Sequence, residues 1–139
     1  MAATWASHTS GMKTKVLAID DDAQFTDLVK YTLEQQGCEV VSAPNRMDGL
    51  HLARTTLPDL ILLDVMLPDL DGLSVCQILG NQPSTRNIPV FIVSALNQSW
   101  AATRGIKPKF AHYWQKPIDL KSLGESVRAA LEKAAGEQD

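Results

Sequence analysis

Short apolar runs alternate along this chain with longer stretches whose apolar residues recur at helical spacing. Val16-Leu17-Ala18-Ile19 is continuously apolar and ends in acids, which predicts a strand buried on both faces. Asp22 is placed to cap a helix, and Phe25, Leu28, Val29, Thr32 and Leu33 follow at the i, i+3, i+4, i+7 and i+8 positions of one face. Gly37 terminates that helix, and 39–42 predicts a second short strand. Residues 45–55 predict a helix with Met47, Leu50 and Ala53 facing inward, broken by Pro58. Leu60-Ile61-Leu62-Leu63 is the most apolar strand, with acids at both ends. A short helix over 72–80 carries Leu73, Cys76 and Leu79, and a polar loop follows over 81–87. The fourth strand, 89–93, has Pro89 at its first position, where a missing N–H costs least. Residues 112–115 predict a fifth strand, and Asp119 caps a last helix with Leu120, Leu123, Val127 and Leu131 on one face.

Strands alternating with helices predict an α/β fold. Its sheet is parallel, with helices on both faces and right-handed connections. The strands at 16–19, 60–63 and 89–93 need not alternate in polarity, so they belong at the centre. A chain of 139 residues suits a single domain able to bury its core without disulfides or a structural metal. We expect that domain over 15–135, a polar flexible extension over 1–14 with Met12 as an alternative start, and a tail over 136–139. The net charge of −3 argues against a nucleic-acid face. No apolar run reaches the roughly 20 residues that span a bilayer, and the polar start lacks the apolar stretch of a signal peptide. Cys38 and Cys76 lie in separate segments with no CxxC pairing, as expected of buried thiols in a reducing cytoplasm. The expected setting is therefore cytoplasmic, with no membrane and no direct nucleic-acid partner.

In parallel sheets of this kind, ligands bind beyond the carboxyl ends of the strands. The first strand ends in Asp20-Asp21-Asp22, the third in Asp64, the fourth in Ser94-Ala95 and the fifth in Lys116-Pro117. Ionised at close range, Asp20, Asp21 and Asp64 repel one another. A hard divalent cation relieves that repulsion, and oxygen ligands with retained water suit Mg²⁺. A cation and Lys116 together can neutralise the oxygens of a transferring phosphoryl group, with Asp64 as a carboxylate nucleophile that forms an acyl phosphate. The Ser94 hydroxyl can donate to a phosphoryl oxygen, so its position depends on whether the phosphate is there.

Asp20-Asp21-Asp22, the run Leu60-Ile-Leu-Leu-Asp-Val-Met-Leu-Pro-Asp-Leu-Asp-Gly72, Val93-Ser94-Ala95 and Lys116-Pro117 together resemble the receiver domains of bacterial response regulators. Order and separation match from the first strand to the fifth, over roughly 15–134. The resemblance implies a doubly wound, flavodoxin-like (βα)5 fold with strand order 2-1-3-4-5, as in CheY. It implies a phosphorelay switch rather than an enzyme with an external substrate. Asp64 would be the phospho-acceptor and Asp21 the direct Mg²⁺ ligand. Asp20 would act mostly through a metal-bound water, and the backbone carbonyl of Met66 would complete the protein ligands. Lys116 would be the family's lysine, Ser94 the switch hydroxyl and Tyr113 the switch aromatic. Lys116–Pro117 would be cis, and Pro68 and Gly72 would shape the turn after the acceptor strand. Partners would be a sensor histidine kinase or a phosphotransfer protein, a downstream protein or output domain, and in some receivers a second copy of the chain.

The sequence departs from the family between the fourth and fifth strands. Gly105 and Pro108 fall where a helix usually continues, so that helix is expected to end near Arg104, and Lys109-Phe110 replace the usual small pair. Trp114 stands where a smaller aliphatic is common. Two other readings are weighed: a pseudo-receiver that only binds protein, and a phosphatase of the haloacid-dehalogenase type built on Asp20-Asp21-Asp22. The phosphatase reading lacks an acidic pair after the lysine and leaves no room for a cap domain. Asp22 reads as a helix cap, Asp69 and Asp71 as solvated turn residues, and His8, His51 and His112 as too scattered for a metal site.

Overall fold

The computed structural model describes residues 14–65, 72–95 and 112–137. The elements run β1 (Thr14–Ile19), α1 (Ala23–Glu34), β2 (Cys38–Ala43), α2 (Arg46–Thr56), β3 (Leu60–Leu63), α3 (Gly72–Gly80), β4 (Val90–Ser94), β5 (His112–Gln115) and α4 (Leu120–Glu137). Met66, Pro68, Asp69, Asp71, Trp100, Lys109 and Phe110, the helix expected to end near Arg104, and residues 1–13 of the extension expected over 1–14 lie outside the described residues. Thr14 belongs to β1, and Gly136 and Glu137, expected in the tail, belong to α4.

The five strands form one parallel sheet in the order β2-β1-β3-β4-β5. Within the three central strands, residues 16–19, 60–63 and 90–93 are apolar and buried because each strand is covered on both faces. In β1, Leu17 and Ile19 enter one core layer, while Val16 and Ala18 enter the other. Ile61 and Leu63 of β3, and Val90 and Ile92 of β4, join the first layer. Leu60, Leu62, Phe91 and Val93 join the second. Leu50 and Ala53 of α2, with Val75, Cys76 and Leu79 of α3, close the first layer. Val29 and Leu33 of α1, with Leu123 and Val127 of α4, close the second. This is the period-two alternation of a strand feeding two cores rather than core and solvent.

Caps place the helices at the predicted points. Asp22 Oδ1 accepts from the Phe25 amide at 3.1 Å, and Asn45 Oδ1 accepts from the Asp48 amide at 2.9 Å. Asp119 Oδ1 accepts from the Lys121 amide at 3.1 Å at the start of α4. Gly37 leaves α1 with φ 92°, a left-handed conformation that suits glycine. Helix α2 ends at Leu57, whose φ of 46° precedes Pro58.

Two inward faces differ from the expectation. Leu28 is 54% exposed, and the buried stripe of α1 runs through Thr26, Val29 and Leu33. Thr26 can turn inward because its hydroxyl donates to the Ala23 carbonyl at 3.1 Å. Met47 is 61% exposed, and the buried stripe of α2 runs through Gly49, Leu50 and Ala53. Gly49 lets α2 approach β1, since a Cβ there would stand 2.7 Å from Ile19 Cδ1. Strand β4 begins at Val90, one residue later than expected, while the Pro89 carbonyl accepts from the Ile61 amide at 3.0 Å.

Candidate functional site

The ladder hydrogen bonds continue one step past the strands and fix the acids in place. The Asp20 amide donates to the Ala43 carbonyl at 3.0 Å, and the Asp64 amide to the Ile19 carbonyl at 2.9 Å. The Lys116 amide donates to the Ser94 carbonyl at 2.7 Å. The carboxyl ends of β1, β3, β4 and β5 therefore meet at one edge, held by backbone rather than by flexible loops. The Lys116–Pro117 peptide is cis.

Carboxylate oxygens of Asp20, Asp21 and Asp64 all lie within 4.8 Å of one another. Asp20 and Asp64 are buried and Asp21 is exposed, so the cluster opens to solvent on one side. Lys116 Nζ lies 2.7 Å from Asp20 Oδ2 and 3.6 Å from Asp64 Oδ2. Asp20 Oδ1 also accepts from the Asp22 amide at 2.9 Å. One ammonium thus pairs with two members of a three-carboxylate cluster.

The titration tendencies follow from that imbalance. Burial pushes the Asp20 carboxyl up, and the Asp64 charge adds to this, while the hydrogen bonds from Lys116 and the Asp22 amide oppose it without cancelling it. Burial alone would lower the Lys116 ammonium, but the hydrogen bond and charge of Asp20, with the charges of Asp64 and Asp22, outweigh it and hold the pKa above its usual value.

Ser94 is fully buried at the end of β4. Tyr113 lies in β5 and packs, partly buried, against the first core layer. A side-chain hydrogen bond joins it to Ser94, and the Asp64 charge reaches its phenol. Burial, then that charge, raises the phenol, and the Ser94 bond offsets part of the rise. The Ser94 hydroxyl and the Asp64 charge therefore both act on the Tyr113 phenol. Trp114, on the opposite face of β5, packs half-buried against the second layer. Its indole Nε1 is buried without a partner among the described residues.

The structure brings together Asp20, Asp21, Asp64, Ser94, Tyr113 and Lys116; Met66 lies outside the described residues. Two features escaped the sequence reading. Asp22, expected only to cap α1, also adds its charge at Lys116. Phe25, expected only as a core residue, places its ring centroid 4.3 Å from Lys116 Nζ. The sole signal in the sequence was its position in the first turn above the acidic strand end.

An oxygen-only set of three converging carboxylates suits a hard cation such as Mg²⁺, and the two buried members gain most from one. Fold and site together define a signalling domain that accepts phosphoryl groups. Residues 16–128 match the family model for the response regulator receiver domain, and the chain belongs to that family. It is 40% identical over 119 residues to the DNA-binding dual master transcriptional regulator RpaA of Synechocystis sp., covering 86% of this chain and 49% of that protein. It is 33% identical over 123 residues to the alkaline phosphatase synthesis transcriptional regulatory protein PhoP of Bacillus subtilis, covering 88% of this chain and 50% of that protein. The chain thus spans about half the length of these two relatives. A CheY-like receiver from Methanospirillum hungatei superposes with a TM-score of 0.83 at 23% identity, covering 91% of this chain and 99% of that one, which shows the fold. As a receiver, the chain is a phospho-accepting switch rather than a conventional enzyme. None of its described helices is long and apolar enough to cross a membrane.

Proposed function

We propose that Asp64 is the phospho-acceptor of this receiver, and that its phosphorylation is read out through Ser94 and Tyr113. The observation that carries the proposal is the seat of Lys116, 2.7 Å from Asp20 and 3.6 Å from Asp64. A cation at that point neutralises oxygens transferred to Asp64 while staying anchored to Asp20. In the transfer, an Asp64 carboxylate oxygen attacks phosphorus and a new P–O bond forms. The P–N bond of a phosphohistidine donor breaks, its electron pair stays on the imidazole, and the imidazole takes up a proton.

Asp20, Asp21 and Asp64 would hold Mg²⁺, with the Met66 carbonyl as the further ligand that the family resemblance implies. When bound, Mg²⁺ supplies positive charge that offsets the acidic cluster and stabilises the phosphoryl oxygens. The buried Ser94 hydroxyl, now paired with Tyr113, gains a new acceptor once Asp64 carries phosphate. That exchange of partners couples the site to β5 and biases the surface around it. The donor would be a sensor histidine kinase or a phosphotransfer protein, and the altered surface would meet a downstream protein or output domain. The two relatives described above are transcriptional regulators, which makes a gene-regulatory output the leading one here.

Intact-mass spectrometry after incubation with a small acyl phosphate and Mg²⁺ tests the reading. The wild-type chain gains one phosphoryl group, and Asp64→Ala gains none. Absence of any gain by the wild-type chain, with Mg²⁺ bound, would instead support a pseudo-receiver.

A further inference from the structure

We propose that Phe25 is a positioning residue for phosphoryl transfer, its ring holding the Lys116 ammonium over the acceptor carboxylate; this deepens the reading of Asp64 as acceptor. The ring centroid is 4.3 Å from Lys116 Nζ, the separation of a cation resting on an aromatic face. The same ammonium reaches Asp20 at 2.7 Å and Asp64 at 3.6 Å, so one cation meets both the ring and two carboxylates.

The placement of Phe25 is itself built. Its amide is fixed by Asp22 Oδ1 at 3.1 Å, and the Asp22 amide is fixed by Asp20 Oδ1 at 2.9 Å. Asp20 Oδ2 in turn receives Lys116, and Lys116 rests on Phe25. The four residues close a circuit. Phe25 also packs, partly buried, against the core layer under α1 and α4, which limits where its ring can go.

Chemistry explains why an aromatic face serves at this point. A lysine stem is long and flexible, and its ammonium can follow any nearby acceptor. The face of a ring attracts a cation through its quadrupole but offers no lone pair. Phe25 therefore keeps the ammonium at the site without competing for its N–H groups. Those donors remain free to pass from Asp20 to the phosphoryl oxygens on Asp64. Leucine at this position would keep the packing but lose the cation-holding face.

Two variants and two readouts test this on the whole chain. Phe25→Leu removes the ring and Phe25→Tyr keeps it. NMR of the unphosphorylated, metal-free protein reads the geometry: the Lys116 ε-methylene resonances are shifted upfield by the ring in wild type and Phe25→Tyr, and return to the ordinary range in Phe25→Leu. Intact mass with a small acyl phosphate and Mg²⁺ reads the rate: Phe25→Leu slows phosphorylation about three- to tenfold, and Phe25→Tyr stays within about twofold of wild type, as expected for an aromatic contact with a partly desolvated cation. Equal rates in all three proteins, or equal losses in both variants, would overturn the positioning role, as would an unshifted Lys116 resonance in wild type. No phosphorylation of wild type, with the ring shift present, would overturn the acceptor reading and this role with it.

Discussion

The ammonium of Lys116 lies 2.7 Å from Asp20 Oδ2, a contact between residues 96 positions apart that ties the end of β5 to the end of β1. Asp20 is buried and carries a second carboxylate, Asp64, as its neighbour, so the ammonium is its chief electrostatic compensation. Removing one partner of such a pair leaves a buried charge exposed to repulsion.

Lys116→Ala should therefore destabilise the metal-free protein at pH 7 by about 3 kcal/mol, the low end for a broken buried pair because Lys116 is partly solvated. Urea unfolding measures it. The folded-state pKa of Lys116 is raised above 10.5, so its contribution is whole below that pH and fades as pH rises beyond it. The gap between wild type and variant should close in alkaline buffer.

Magnesium should stabilise the folded chain, because only that state gathers Asp20, Asp21 and Asp64. At a concentration 100 times the dissociation constant the gain is about 2.7 kcal/mol. Thermal unfolding with and without Mg²⁺ reads it directly. In Asp21→Asn the Mg²⁺ effect should be largely lost. The metal-free variant should be at least as stable as wild type, because one of three like charges has gone.

Tyr113 reports on its neighbours through its phenol, raised above the usual 10 by burial and by the Asp64 charge. In a Tyr31→Phe background, which removes the other tyrosine at an exposed site, ultraviolet titration follows Tyr113 alone. Asp64→Asn should move the transition down by removing a raising charge. Ser94→Ala should move it further up by removing the hydrogen bond that lowers it. Opposite signs from two residues at adjacent strand ends would be hard to obtain unless all three side chains meet.

The core contributes an alkaline limit. Burial pushes the Cys38 thiol up from 9.0 to about 12, with the Asp59 charge adding to the shift. Between those values the unfolded chain loses this proton while the folded chain keeps it, so stability falls as pH rises through the window, by up to about 1.4 kcal/mol per pH unit. Below pH 9 the group has no such effect. Cys38→Val should flatten the decline above pH 9 in chemical unfolding curves.

Most of the fold and much of the site could be read from the chain because both depend on strand ends. Continuous apolar runs locate β1, β3 and β4, and the polar residues just beyond them fall at one edge of a parallel sheet by topology. Helix α3 and strand β5 have the bounds that periodicity predicts, 72–80 and 112–115. What periodicity cannot resolve is which of two overlapping stripes a helix buries. Leu28 and Met47 fit the spacing, yet Thr26 and Gly49 take the inward places, one through a local hydrogen bond and the other through the close approach of Ile19. The meeting of Phe25 with Lys116 was illegible for a different reason. An aromatic at a core position looks the same whether its ring edge meets aliphatic carbon or its face meets an ammonium from a distant strand.

Borohydride trapping tests the central claim most directly, since it converts an aspartyl phosphate to homoserine and leaves a free carboxylate unchanged. After incubation with a small acyl phosphate and Mg²⁺, reduction and peptide mapping should find homoserine at position 64 and at no other aspartate. Homoserine at position 20 or 21, or an unreduced Asp64 in a chain that has gained a phosphoryl group, would contradict the account.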